Sequence, residues 1–303
     1  DGLLEKTIIV FYTDHGGPLP RQKRLLYDSG IKVPMIIRYP NKVRAGEVDK
    51  RMISFVDFAP TLLSLVEIEP PDYYHGSPFE GIFKSKNERK YIHAAADRFD
   101  EYYDQIRAVR DKRYKYLRNY KPDKPYYLPL EYRQKMNTMQ ELLHLEKEGE
   151  LNESQLQWFR KSKPEEELFD TFNDPHELRN LANDTSLKEK LNELKNECDK
   201  WIHNTDDKGF MPETELIEMF WPNKKQPRTK KPLITTYDGM LHAACETEGA
   251  GIGYKYRNVD MQPHLGWKPY TKPLKVGKGQ EIEWIAHRIG FLPSLTKRYK
   301  SDY

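Results

Sequence analysis

Thr7-Ile8-Ile9-Val10-Phe11-Tyr12, followed directly by Thr13-Asp14-His15-Gly16-Gly17, is the stretch on which the fold reading turns. A continuous β-branched and aromatic run predicts a strand buried on both faces, as in a parallel sheet. Polar side chains and glycines at its C-terminal end fall where ligands bind in open α/β sheets. A second run from Val33 to Tyr39, bounded by Pro34 and Pro40, predicts another strand, and Asp57 reads as the N-cap of an apolar helix through Leu65. Strand, loop, strand, helix makes residues 1–88 an α/β segment.

Outward from there the texture changes twice. Over 89–222, Tyr91 to Ala94, Gln105 to Arg110 and Arg113 to Asn119 predict three short antiparallel strands, half-buried by the alternation of Tyr114, Tyr116 and Arg118 with Lys115 and Leu117. Helical stretches are expected at Tyr132 to Glu148 and Glu153 to Arg160, and a short strand at Glu166 to Asp170. Leu187, Leu191, Leu194, Cys198 and Trp201 lie on one helix face, which makes Cys198 a core residue rather than a reactive thiol. After a charged, Pro-containing linker, 231–303 reads as a small all-β module with Gly-rich turns. Gly249-Ala250-Gly251-Ile252-Gly253 has no helix behind it, so it predicts a turn or bulge and not a nucleotide loop.

Composition narrows the function classes. The 50 basic and 47 acidic residues nearly cancel, which argues against a general nucleic-acid binder. With the 20 Tyr exchanged for the 17 Gly to match the usual reference set, the apolar share is about 36%, against about 45–50% in typical domains. The chain is poor in core for its 303 residues, as expected of a surface-rich protein or of a piece of a larger one. No stretch approaches the roughly 18 apolar residues of a membrane span, and no signal peptide is visible at Asp1 to Glu5. Two cysteines build no disulfide framework.

Asp14-His15-Gly16 is the sharpest chemical cluster: adjacent oxygen and nitrogen donors on a loop behind a strand, suited to a metal ion. Arg21 and Lys23 follow, where cations suit an anionic group beside a metal; alone, each of these features also reads as a turn or a solvated face.

Together they carry a resemblance. Phe11 to Gly16, Lys23 to Pro40, Ser54 to Leu63, Gln105 to Tyr116 and Glu166 to Ala182 resemble, in family order, the second half of a type I, formylglycine-dependent sulfatase. The branch they look closest to holds heparan N-sulfatase-like and polysaccharide sulfatases. The resemblance implies an alkaline-phosphatase-like α/β fold, incomplete at its N-terminus, with an α+β C-terminal subdomain. It also implies metal ligation by Asp14 and His15 and sulfate binding by Lys23. The implied metal is Ca2+, with Mn2+ or Zn2+ open because the family commonly has Asn where His15 stands. His93 and Arg98 are expected at the organic part of a sulfated carbohydrate, with a satisfied strand histidine and a surface ion pair as the alternatives. No Cys or Ser stands in the family's Cys/Ser-x-Pro-x-Arg setting, so the chain is expected to be the C-terminal part of a longer enzyme.

The expected activity is sulfuric ester hydrolysis, in the periplasm or outside the cell, or in a lysosome if the source is eukaryotic. A phosphate or phosphonate monoester hydrolase of the same superfamily and a non-catalytic carbohydrate-binding protein are the alternatives. The tail, with Trp267, Tyr270 and Trp284, resembles the small β-sandwich appended to some glycoside hydrolases, its aromatics read as core before carbohydrate platform.

Overall fold

The computed structural model describes residues 2–99, 101–257 and 266–301. The chain divides into two compact units, Asp1–Gly209 and Phe210–Tyr303. Strand β1 (Ile9–Tyr12) opens the first unit, followed by a one-turn helix α1 (Asp28–Ile31), strand β2 (Met35–Arg38) and helix α2 (Phe58–Leu65). β1 pairs with β2 antiparallel, Val10 opposite Ile37. The expectation of a strand buried on both faces in a parallel sheet is corrected here. Ile9, Phe11 and Tyr12 are exposed, because among the described residues the two strands form a sheet of their own.

Asp57 precedes α2, but its carboxylate does not cap that helix. It accepts from Ser54 N and Ser77 N, both at 2.9 Å, and takes a bidentate contact from Arg89. The residue that looked like a helix start instead ties three chain segments together.

The centre of the first unit is a four-stranded antiparallel sheet in the order β3 (Ile92–Phe99), β4 (Tyr102–Arg110), β5 (Tyr114–Asn119) and β6 (Glu166–Asp170). The three expected strands are present, and β6 joins them with Leu168 opposite Tyr116. The sheet is covered on both faces, not half-buried. Val109, Tyr116 and Leu168 pack with Leu194 and Cys198 of helix α6 (Lys188–Asn204). Ala108, Leu117 and Phe169 face a second cluster with Leu26, Tyr27, Leu130 and Trp158. That second layer comes from the loop before α1 and from short helices α3 (Glu131–Gln134), α4 (Asn137–Glu148) and α5 (Glu153–Leu156). α4 stops at Gly149, whose φ of 75° few other residues adopt. Cys198 is buried as the helical spacing predicts, and burial pushes its thiol up to about 11.

Phe210–Tyr303 holds helix α7 (Glu213–Phe220), which the sequence grouping placed ahead of the linker. Among the described residues seven strands follow: β7 (Leu233–Tyr237), β8 (Met240–Ala244), β9 (Gly251–Tyr256), β10 (Lys268–Pro269), β11 (Leu274–Lys275), β12 (Glu281–His287) and β13 (Lys297–Lys300). They form sheets β10-β9-β12-β13 and β11-β8-β7 around Leu241, Ile282 and Trp284. Tyr270 packs edge-on against Trp284, so both are core, whereas Trp267 is partly exposed with the Lys255 ammonium 4.5 Å from its ring centroid. Among the described residues no helix is long and apolar enough to cross a membrane.

Candidate active site

The loop leaving β1 folds back on itself, and glycine is what allows it. Gly16 N donates to Gly30 O at 2.8 Å, and a Cβ on Gly16 would stand 1.8 Å from Ser29 O. Lys23 N donates to Gly17 O at 3.0 Å. Leu25, Leu26 and Tyr27 plant the far end of the loop in the cluster on the central sheet. Arg21 clamps it from outside, donating to the carbonyls of His176 and Glu177 at 3.0 and 2.8 Å with its guanidinium 4.1 Å from the Tyr27 ring centroid.

A buried ionic cluster lies under this loop. Lys115 Nζ, fully buried on β5, contacts Asp28 Oδ1 at 2.6 Å, Glu177 Oε1 at 2.8 Å and the Leu26 carbonyl at 3.0 Å. Arg110 of β4 donates to Asp28 and to Thr171 Oγ1, the latter at 3.0 Å. Burial opposes ionisation of Asp28, but Lys115 and Arg110 outweigh it and hold the carboxyl below its ordinary range. At Glu177 burial wins over Lys115 and raises the carboxyl. Two cations and two carboxylates thus lock the loop, α1 and the turn after β6 onto the sheet.

Asp14 and His15 stand on the open side of the loop. Asp14 is 87% exposed and His15 35%, with Asp14 Oδ1 3.6 Å from His15 Nε2. His15 Nδ1 lies 2.6 Å from Gly16 O, so a proton on Nδ1 is satisfied there and the Nε2 lone pair turns toward Asp14. Two lone-pair donors facing one another suit a bound cation. Among the described residues no group of three or more His, Cys, Asp and Glu side chains converges to hold a metal. The pair therefore fits part of a coordination set, since Ca2+ takes six to eight oxygen ligands and Zn2+ four.

A cleft of about 1530 Å³ brings Asp14 and His15 together with His93, Arg98, Arg110 and Lys112, between walls that include Ile36, Phe55 and Phe58. Lys23 is not in its wall, although its neighbours Arg24 and Leu25 are. The Lys23 ammonium lies 5.6 Å from the centroid of the Tyr132 ring. His93 is held from the other side of β3: Nε2 lies 3.0 Å from Glu197 Oε1, and the ring stacks on Trp201 at 5.1 Å. Burial pushes the His93 imidazole below its ordinary value against the pull of Glu197, which favours the neutral ring. That is the environment of a strand histidine whose partner is already supplied by α6. Arg98 sits on β3 beyond a break in register between Ala96 and Arg98.

Comparison with known proteins shows what the chain resembles. The model of the N-sulphoglucosamine sulphohydrolase C-terminal family matches residues 21–157. An ulvan-active sulfatase of Formosa agariphila is 55% identical over 295 residues, which are 97% of this chain and 49% of that protein. The chain belongs to the sulfatases. Human N-sulphoglucosamine sulphohydrolase is 25% identical over 229 residues, 68% of this chain and 43% of its own length. A solved structure of a protein bound to its substrate, D-glucosamine-2-N,6-O-disulfate, covers 70% of this chain and 37% of its own, at 20% identity and a TM-score of 0.49. The chain spans about half the length of the curated relatives it matches.

Several residues around this cleft were silent in the sequence. Arg24, Arg110, Lys112 and the exposed Phe172 line the cleft, and Tyr132 and Arg133 touch Lys23. Arg110 and Lys112 stand inside a quoted motif, yet nothing in their spacing separates a cleft residue from a sheet residue. Tyr132 is more than a hundred residues from Lys23, and only the packing of α3 brings them together.

Proposed function

We propose that the protein carrying this chain is a sulfuric ester hydrolase that releases sulfate from a sulfated polysaccharide of the ulvan type. The observation that carries this reading is 55% identity to an ulvan-active sulfatase along nearly the whole chain. Asp14 and His15 would contribute an oxygen and a nitrogen to a divalent metal, Ca2+ by the family and Mn2+ or Zn2+ by the imidazole, alongside further ligands. When bound, that ion polarises the sulfate oxygens. The formylglycine nucleophile comes from elsewhere in the protein.

What this chain supplies is charge and shape. Lys23 meets the negative charge of the sulfate group, a preorganised cation on a loop whose backbone is fixed at Gly16, Gly17 and Arg21. Arg98, on the cleft wall, is suited to a bidentate contact with a carboxylate or sulfate of the same polymer. His93 shapes the β3 side of the cleft while held by Glu197. A sulfated polysaccharide does not cross the cytoplasmic membrane, which supports action beyond it, in the periplasm or outside the cell. The substrate class is tested by incubating the full-length protein with ulvan and with heparan sulfate and measuring released sulfate by ion chromatography. Release from ulvan is expected to dominate; release from heparan sulfate alone would move the assignment to another polysaccharide.

A further inference from the structure

Lys23 is half-buried and forms no ion pair among the described residues. Its neighbours in the fold differ: Lys115 and Arg110 lie on Asp28, Lys112 on Glu88 and Arg113 on Asp170. A carboxylate against Lys23 would offset the charge that an anionic group has to meet. The partner actually present is the face of Tyr132, 5.6 Å from Nζ. An aromatic face attracts an ammonium through its quadrupole and brings no counter-charge. It orients the cation and leaves it free for an anion.

The main chain of Lys23 is held as firmly. Arg21 and Arg24 adopt φ of 59° and 77°, the left-handed region that non-glycine residues seldom enter. Arg133, buried and 5.2 Å from the Trp158 ring centroid, donates from Nη2 to Lys23 O at 3.0 Å. Arg24 Nε donates to the Tyr132 hydroxyl at 3.1 Å, and its guanidinium is 5.4 Å from the same ring centroid. Two consecutive residues of α3 therefore meet Lys23 at both ends, one at the carbonyl and one at the ammonium.

We propose that Tyr132 is a positioning residue for Lys23: its ring holds the ammonium for an incoming sulfate group without neutralising it, while Arg133 anchors the backbone beneath. The inference rests on Lys23 being the sulfate-binding cation. Its test uses the full-length protein with inorganic sulfate as the probe. Acetylation of the Lys23 amine by acetic anhydride is followed by mass spectrometry, with and without sulfate, in wild type, Tyr132→Phe, Tyr132→Leu and Tyr132→Gln. Sulfate should protect Lys23 in wild type and in Tyr132→Phe, which keeps the ring. Sulfate affinity read this way should fall by about tenfold in whichever ringless variant melts within a few degrees of wild type. In parallel, kcat/KM for sulfate release from ulvan should drop by a similar factor in the ringless variants, stay within about twofold in Tyr132→Phe, and fall no further when Tyr132→Leu is added to Lys23→Ala. Equal protection in a folded ringless variant, or additive losses in the double mutant, would overturn the role of Tyr132 while leaving the sulfatase reading intact. Absence of protection in wild type would overturn the inference through Lys23 itself.

Discussion

At the scale of single residues, the site is built on charge that is kept unpaired in some places and matched in others. Lys23 faces an aromatic ring, and Lys115 faces two carboxylates and a carbonyl. The first cation is free to act on a ligand; the second is consumed in holding the loop. Replacing Lys23 by Ala should therefore lower kcat for sulfate release by about 10²–10³, the loss expected for one preorganised transition-state contact. The melting temperature should stay within a few degrees, because Lys23 packs into neither core cluster. Unchanged turnover would remove Lys23 from the mechanism. Asp14 and His15, singled out in the sequence by their adjacency behind a strand, line the cleft, whereas Lys23, singled out as a nearby cation and by the family motif, stands outside its wall. Tyr132 and Arg133 were not legible, because a contact made across more than a hundred residues leaves no local period.

At the scale of elements, the buried cluster under the loop makes a sharp stability prediction. Lys115→Met removes the ammonium between Asp28 and Glu177 and leaves two buried carboxylates facing each other, so urea unfolding should show a loss of about 3–5 kcal/mol. A loss below about 1 kcal/mol would mean that the carboxylates relax into solvent.

The turn after β6 gives a pH dependence. Arg113, assisted by Phe172 N and Asn173, holds the Asp170 carboxyl at about 2, against an ordinary 3.8. A lowered carboxyl stabilises the fold above its unfolded pKa, and that stability is lost as pH falls from about 4 to about 2. With half-exposed Arg113 as the main partner, solvent screening leaves about 1 kcal/mol of it. Asp170→Asn should flatten this limb of the acid unfolding curve followed by circular dichroism; an unaltered limb would assign it to other carboxylates. The central sheet was readable from its Tyr-rich strands and the α6 face from its spacing, as the burial of Leu194 and Cys198 bears out. The burial of both sheet faces was not readable, since the second cover joins a loop to the short helices α3, α4 and α5, and no local spacing says which face of the sheet they meet. β1 misled in the opposite direction: its apolar run is as strong as that of a central strand, yet Phe11 and Tyr12 stand exposed.

At the scale of the whole molecule, the low apolar share and the exposed β1–β2 sheet agree with a chain that spans about half the length of its curated relatives. The near-neutral net charge says little about an anionic substrate, because the relevant cations are gathered locally, on one loop and along one cleft. The central claim is that the protein hydrolyses sulfate esters and not phosphate esters, and the most direct measurement is a side-by-side assay of the full-length protein. Inorganic sulfate released from ulvan is measured by ion chromatography, and phosphate released from 4-nitrophenyl phosphate is measured under the same conditions. The account predicts steady sulfate release from ulvan and little or no phosphate release. Phosphate release without sulfate release would contradict it.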